Sequence, residues 1–297
     1  MNRRNFIKNT TLSLAATQFL PSAFAEDFFC KKKIKTGLQL YTLRDDLQKD
    51  LEGTLSKIAK LGYTKLELAG YDSGKIYGKT PSEFNRILIN EGLSMVSGHI
   101  LTGRENTNKK YTMSNEFERV VDDMKAINQK YIVCAWLFPE ERACIDDYKK
   151  LAVLLDKCGE KCQKYGIQMA YHNHDFEFQA ISGVLPYDIL LRETDSDLVK
   201  FEMDMYWMAK AKQSPFKYFD QYPKRFPLWH IKDMNKEDAE KFAEVGYGSI
   251  DFRSIFEAKE KAGLKQFFVE QDNCYDRAPL DSIKMSFEYL KNKDWAK

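Results

Sequence analysis

No stretch of the 297-residue chain approaches the about 20 consecutive apolar residues that a membrane-spanning helix needs, so a body outside the membrane is expected. An excess of charge of either sign is also missing, with 46 Lys and Arg against 44 Asp and Glu. The formal net charge is +2, and three of the cations, Arg3, Arg4 and Lys8, fall in the first 25 residues, which hold no acid; setting these three aside leaves −1. A body so close to neutral offers no electrostatic basis for binding nucleic acid or an anionic membrane surface. The six cysteines do not form a disulfide framework. Cys158 and Cys162 are four residues apart on one helical face, a geometry that suits a disulfide poorly, and Cys134 sits in an apolar strand. Free, mostly buried thiols are expected. Histidine is scarce, with four residues in all. No linker, low-complexity tract or second core interrupts the chain, and an apolar content of 43% suffices for one large core.

The N-terminus reads as an export signal over residues 1–25. Asn2-Arg3-Arg4-Asn5-Phe6-Ile7-Lys8 has the form of a twin-arginine motif, a mildly apolar run follows from Leu12 to Leu20, and Ala23-Phe24-Ala25 fits a small-x-small cleavage site. Cys30 lacks the context of a lipoprotein cysteine. A periplasmic or otherwise exported mature protein beginning near Glu26 is expected.

What remains alternates between strand and helix eight times. Strands are expected at Ile34–Tyr41, Lys65–Ala69, Leu93–His99, Tyr131–Trp136, Ile167–His174, Val199–Asp204, Phe226–His230 and Gln266–Glu270. Helices are expected over Leu47–Leu61, Pro81–Asn90, Ser114–Gln129, Ile145–Tyr165, Pro186–Glu193, Phe216–Gln221, Asp251–Ala262 and Asp281–Lys291, on spacing such as Leu151, Leu154, Leu155 and Cys158. Asp251 and Asp281 are read as N-caps. Eight βα units imply a parallel sheet closed into a single (β/α)8 barrel over residues 33–291.

Every histidine then falls at the C-terminal end of a strand: His99, His172 with His174, and His230. Asp204 and Glu270 end strands in the same way. In such a barrel these ends converge on one mouth, where chemistry is done. Strand alternation sets His230 with Leu228 and Lys232, His172 and His174 with Ala170, Glu270 with Phe268, and Glu67 opposite Leu66 and Leu68, so all of them would point inward. Inward imidazoles and carboxylates need a partner, and a divalent metal ion is one.

Five segments in order resemble the xylose isomerase-like sugar isomerase/epimerase superfamily: Gly37-Leu38-Gln39-Leu40-Tyr41-Thr42-Leu43-Arg44-Asp45, Tyr171-His172-Asn173-His174, His230-Ile231-Lys232-Asp233, Gly246-Tyr247-Gly248-Ser249-Ile250-Asp251-Phe252, and Val269-Glu270. The resemblance runs from about Lys33 to Leu290. It implies a TIM barrel with one divalent cation, Mn, Mg, Co or Zn, at its mouth. By position its ligands would be His174 (or His172), Asp204, His230 and Glu270, with His174 favoured because it lies nearer the strand end. Where many epimerases of the group carry a glutamate on strand five, this chain has His-Asn-His. That departure is similar to the inosose dehydratase-like branch and to lyases of 3-keto-glycosides.

The expected activity is metal-assisted proton abstraction next to the carbonyl of a sugar or keto-sugar, leading to isomerisation or epimerisation. Loss of a group β to the carbonyl would turn the same chemistry into elimination. His172 or Glu270 would take the proton, and Lys232 would steady the resulting charge or pair with Asp233 or another acid. Glu67, His99, Trp136 and Glu177 are candidate substrate contacts, with Phe138 and Trp207 beside Trp136 as a stacking platform. Gly246-x-Gly248 reads as a tight loop before the Asp251 cap, or as a weak phosphate cradle. A carbohydrate is the expected partner, and a homo-oligomer is compatible with the sequence. An endonuclease IV-like barrel would need more ligands and a basic face. A non-catalytic sugar-binding barrel would not need so full a ligand set.

Overall fold

The computed structural model describes residues 34–106 and 108–297; the expected export signal lies outside them. Eight parallel strands close into a barrel in chain order: β1 (Gly37–Gln39), β2 (Lys65–Leu68), β3 (Ser94–Ile100), β4 (Tyr131–Cys134), β5 (Gln168–His172), β6 (Val199–Asp204), β7 (Leu228–Ile231) and β8 (Gln266–Val269), with β1 pairing both β2 and β8. Around it stand α1 (Leu51–Leu61), α2 (Pro81–Asn90), α3 (Phe117–Ala126), α4 (Ile145–Gln163), α5 (Pro186–Glu193), α6 (Met205–Lys210), α7 (Pro215–Gln221), α8 (Phe252–Glu257) and α9 (Pro279–Leu290).

Local chemistry explains the element ends. Thr80 and Glu83 form a capping box at the start of α2, with Pro81 in the first turn. Asp251 caps α8, accepting from the Ser254 backbone N–H at 3.2 Å. The expected cap at Asp281 is corrected: Ala278 is the N-cap and Asp281 lies inside the first turn, because Pro279, with its preset φ, starts the helix earlier. The expected first strand is shortened to three residues. The Gln39 side chain accepts the Tyr41 N–H at 3.1 Å and curls the chain into a 3-10 turn over Leu40–Leu43. Strand five stops at His172, two residues short of the expected end.

Alternation divides the apolar residues into two clusters. Leu66, Leu68, Met169, Tyr171, Trp229, Ile231, Phe267 and Val269 belong to the large layer between barrel and helices. Val133, Ala170, Leu228 and Phe268 form a separate plug inside the barrel. The next inward positions above the plug are polar and almost fully buried: Gln39, Glu67, His172, Glu202 and His230. TIM interiors are ordinarily filled by branched apolar side chains. Here the layer above the plug is polar, and four of these five side chains are ionisable.

The five cysteines among the described residues are free; Cys134, Cys158 and Cys162 are buried, Cys144 is exposed and Cys274 is intermediate. No helix among the described residues is long and apolar enough to cross a membrane.

Candidate active site

The mouth of the barrel opens into a cavity of about 840 Å³. Its polar end carries His99, His172, His174, Glu270 and Asp272, and its walls are aromatic: Tyr41, Tyr71, Trp136, Phe176, Trp207 and Phe242. Size and lining suit a small polyhydroxylated ligand with one reactive end.

At the polar end of the cavity and in the barrel interior next to it, two sets of donor atoms come together, each within 4.8 Å: Asp204, His230 and Glu270, and His99, His172, Glu202 and His230. Strand register accounts for this. His172 pairs with Glu202 across β5 and β6, and Asp204 with His230 across β6 and β7. His230 is held on both sides. Its Nδ1 is 2.8 Å from Glu270 Oε2, while Nε2 bonds Glu67. Glu67 is itself fixed by Gln39 Nε2 at 2.9 Å and Ser97 Oγ at 2.5 Å. A carboxylate gripping one ring nitrogen while the other faces two acids is the arrangement that orients a metal-ligating histidine. Asp204 Oδ2 and Glu202 Oε1 are buried without a hydrogen-bond partner among the described residues. The Lys232 ammonium lies 3.0 Å from Asp204 Oδ2 as a charge contact. Mixed imidazole and carboxylate donors, with Glu202 Oε1 unpartnered among the described residues and Asp204 Oδ2 met only by the lysine charge, fit a divalent cation.

Electrostatics follow from crowding acids and bases out of water. Burial raises Glu202 to about 7, reinforced by Glu67, and raises Asp204 to about 6 against the pull of Lys232. For His99, burial acts downward, but Glu67 and Glu202 outweigh it and lift the imidazole to about 9. His172 and His174 are held well below the ordinary histidine range, first by burial and then by neighbouring cations, so both are neutral at pH 7. Lys232 is pushed up despite burial by Asp204, Asp272 and Glu270.

The two strand-five histidines part ways. His172 ends β5, and its Nδ1 is 3.2 Å from Glu202 Oε2. His174, the favoured ligand in the sequence, is in neither donor set. The chain has left the sheet, and the His174 N–H is tied to Glu177 Oε2 at 2.9 Å. The His174 ring stacks on Phe176 (centroids 5.4 Å, 6°) and meets Trp136 edge-on at 4.9 Å and Trp207 at 5.4 Å. Its Nδ1 has no partner among the described residues. Asn173, between the two, accepts the Asp204 N–H at 3.1 Å and ties strand five to strand six.

Trp136 and His99 stand in the cavity wall, as does Trp207. Phe138 is not one of the lining residues. Glu67 and Glu177 are fully buried behind them. Glu177 accepts from Tyr171 Oη at 2.6 Å as well as from His174 N, so it braces the loop that carries His174; burial lifts it to about 8. Lys232 pairs with Asp204, Glu270 and Asp272, not with Asp233. Asp233 instead accepts four backbone N–H groups, those of Met234, Gly246, Gly248 and Ile250, at 2.9–3.0 Å. That consumes the Gly246-x-Gly248 amides and leaves no phosphate cradle. Gly246 has φ +93°, and a Cβ on Gly248 would stand 2.3 Å from Asp233 Oδ1, so this clamp requires both glycines.

Glu202 was missed in the sequence. The signal was available: in Val199–Asp204 it shares the inward face with Asp204, two residues on. Asp272 was missed because it lies beyond the last strand, where alternation no longer predicts direction.

The chain belongs to the xylose isomerase-like TIM barrel family, whose model matches residues 55–293. An inosose dehydratase of Lacticaseibacillus casei is 25% identical over 266 residues, spanning 78% of this chain and 86% of that protein. A sugar phosphate isomerase/epimerase from Parabacteroides distasonis ATCC 8503 shares the fold with a TM-score of 0.77 and 28% identity, covering 89% of this chain and all of that one (100%). The zinc-bound IolI protein is similar in fold alone, with a TM-score of 0.69 at 15% identity over 89% of this chain and 98% of its own.

Proposed function

We propose that this chain is a divalent-metal-dependent sugar isomerase or epimerase that removes a proton next to a carbonyl of a sugar or keto-sugar. The observation that carries this reading is the meeting of Asp204, His230 and Glu270 donor atoms within 4.8 Å under an aromatic-walled cavity, with Lys232 Nζ 2.6 Å from Glu270. A divalent ion held by Asp204, His230 and Glu270 would supply Lewis acidity to a bound carbonyl and its neighbouring hydroxyl.

The protein's own groups divide the remaining work. His172, neutral through burial, takes the proton, and Glu202 orients its ring through Nδ1. Lys232 steadies negative charge on the substrate oxygen. His174 offers its unpartnered Nδ1 to a sugar hydroxyl, and Trp136 and Trp207 stack on the sugar's apolar face.

A second reading, dehydration or β-elimination on a keto-sugar or cyclitol ketone, has its own support. His99 lines the cavity and is protonated at neutral pH, which equips it to hand a proton to a departing hydroxyl. The likeness to inosose dehydratases points the same way. Incubation of the purified protein with ketoses, inosose and 3-keto-glycosides in D₂O, with and without a chelator, tests both. Chelator-sensitive formation of an isomerised or epimerised sugar, with deuterium at the α-carbon to the extent that the base exchanges with solvent, supports the isomerase. A released water or aglycone supports elimination. No turnover of any of these, with no bound metal, would refute the proposal.

A further inference from the structure

We propose that Asp272 is a positioning residue that gives the Lys232 ammonium an acceptor outside the metal donor set, so that a cation can take the two carboxylates the lysine also touches. This inference rests on the metal reading above. The Lys232 Nζ hydrogen-bonds Glu270 Oε2 at 2.6 Å and Asp272 Oδ2 at 2.7 Å and touches Asp204 Oδ2 at 3.0 Å. Two of these three carboxylates, Asp204 and Glu270, belong to the donor set with His230; Asp272 does not. An ammonium and a divalent cation therefore want the same two carboxylates, and like charges cannot share them at such distances without strong repulsion.

Asp272 is the acceptor that stays available when a cation takes the other two. It is also the outermost: its side chain is 26% exposed and lines the cavity, while Asp204 and Glu270 are 0% and 5% exposed. Its backbone carbonyl accepts from Arg44 Nη1 at 3.3 Å, which anchors it against the chain that follows β1. The Trp207 and Phe242 rings lie 5.6 and 5.7 Å from Nζ and flank the ammonium. The lysine, itself buried, is thus held against the cavity-lining Asp272 and Glu270, on the side from which a substrate oxygen would approach, by a residue that touches neither metal nor reacting atoms.

Calorimetric titration of the purified chain with Mn²⁺ tests this. Asp272→Asn should weaken Mn²⁺ binding by about 10–100-fold, the scale on which outer partners of metal ligands act, because Lys232 then settles on Asp204 and Glu270. Asp272→Glu should bind as the wild type does. The double variant Lys232→Met/Asp272→Asn should recover wild-type affinity, since the competing ammonium is gone; a merely structural role for Asp272 would leave the double variant as weak as the single one. Unchanged affinity in Asp272→Asn, or no recovery in the double variant, overturns the proposal. Should Asp272→Asn fail to fold, Asp272→Glu and the double variant still decide it: loss of affinity in either one overturns it. A wild-type chain that binds no divalent ion overturns the metal reading itself, and this inference with it.

Discussion

Glu202 Oε2 stands 3.2 Å from His172 Nδ1 on the rung where the two residues are direct partners across β5 and β6. The same oxygen is 3.1 Å from His99 Nε2 and 3.2 Å from His230 Nε2, so one carboxylate orients three imidazoles. Glu202→Gln keeps the volume and removes the charge. It should lower kcat by at least about 10-fold, a part of the about 10²–10⁴-fold that a positioned general base contributes, since the base itself is kept. Steady-state kinetics checks this; wild-type kcat in the variant would remove Glu202 from the chemistry.

Asp204 has two jobs that two substitutions separate. Its Oδ1 caps α6 by accepting the Trp207 N–H at 3.0 Å, while Oδ2 faces the donor set. Asp204→Asn should lose bound metal, measured by elemental analysis, with little change in thermal midpoint. Asp204→Ala should lose metal and also about 0.5–2 kcal/mol of stability with the cap.

Lys232→Met should lower turnover about 10²–10³-fold, the worth of one oxyanion donor, while the protein still holds its metal. A primary isotope effect with α-deuterated substrate under single turnover separates proton abstraction from hydride transfer, because product release cannot mask the chemical step there. Full activity in the variant would exclude the lysine.

Glu177 gives a pH prediction of definite sign. Burial raises it from 4.5 to about 8 in the folded protein, so the native state holds a proton that the unfolded chain has already lost. Its contribution is complete below about 4.5 and is lost as pH climbs toward 8, at up to about 1.4 kcal/mol per pH unit. Glu177→Gln should flatten that part of the stability curve. Chemical denaturation of both proteins between pH 4.5 and 8.5 measures the difference; parallel curves would disprove it.

Export through the twin-arginine route remains a proposal that rests on Arg3, Arg4 and Ala23-Phe24-Ala25. Replacing both arginines by lysine should trap uncleaved precursor in the cytoplasm, seen by fractionation. Unchanged export would exclude that route.

The barrel was legible because period-2 alternation and βα spacing report directly on which face is buried. Leu228, His230 and Phe268 could be assigned to the interior without coordinates. The fate of His174 could not. A strand's last residue is decided by where the next ladder bond is lost, and here the Glu177 carboxylate captures the His174 amide from three residues away. Glu177 itself could not be read as buried, because Asp175–Gln179 alternates polar and apolar residues as an exposed-edge strand would, whereas the chain forms a 3-10 turn over Phe176–Phe178 that buries all three. Asp233 beside Lys232 offered a plausible ion pair on paper, but adjacent residues at a strand end point to opposite sides. The lysine faces the site and the aspartate faces the loop.

The apolar plug of Val133, Ala170, Leu228 and Phe268 makes the barrel a one-ended vessel. The cavity past the aromatic walls is the route by which water, substrate and protons would reach the buried acids and imidazoles. On the proposed reading, a proton taken by His172 while a sugar fills that entrance would have no outlet through the plug, and should return to its own substrate more often than it trades with solvent. Retention of label during turnover would then report on the shape of the vessel as much as on the identity of the base.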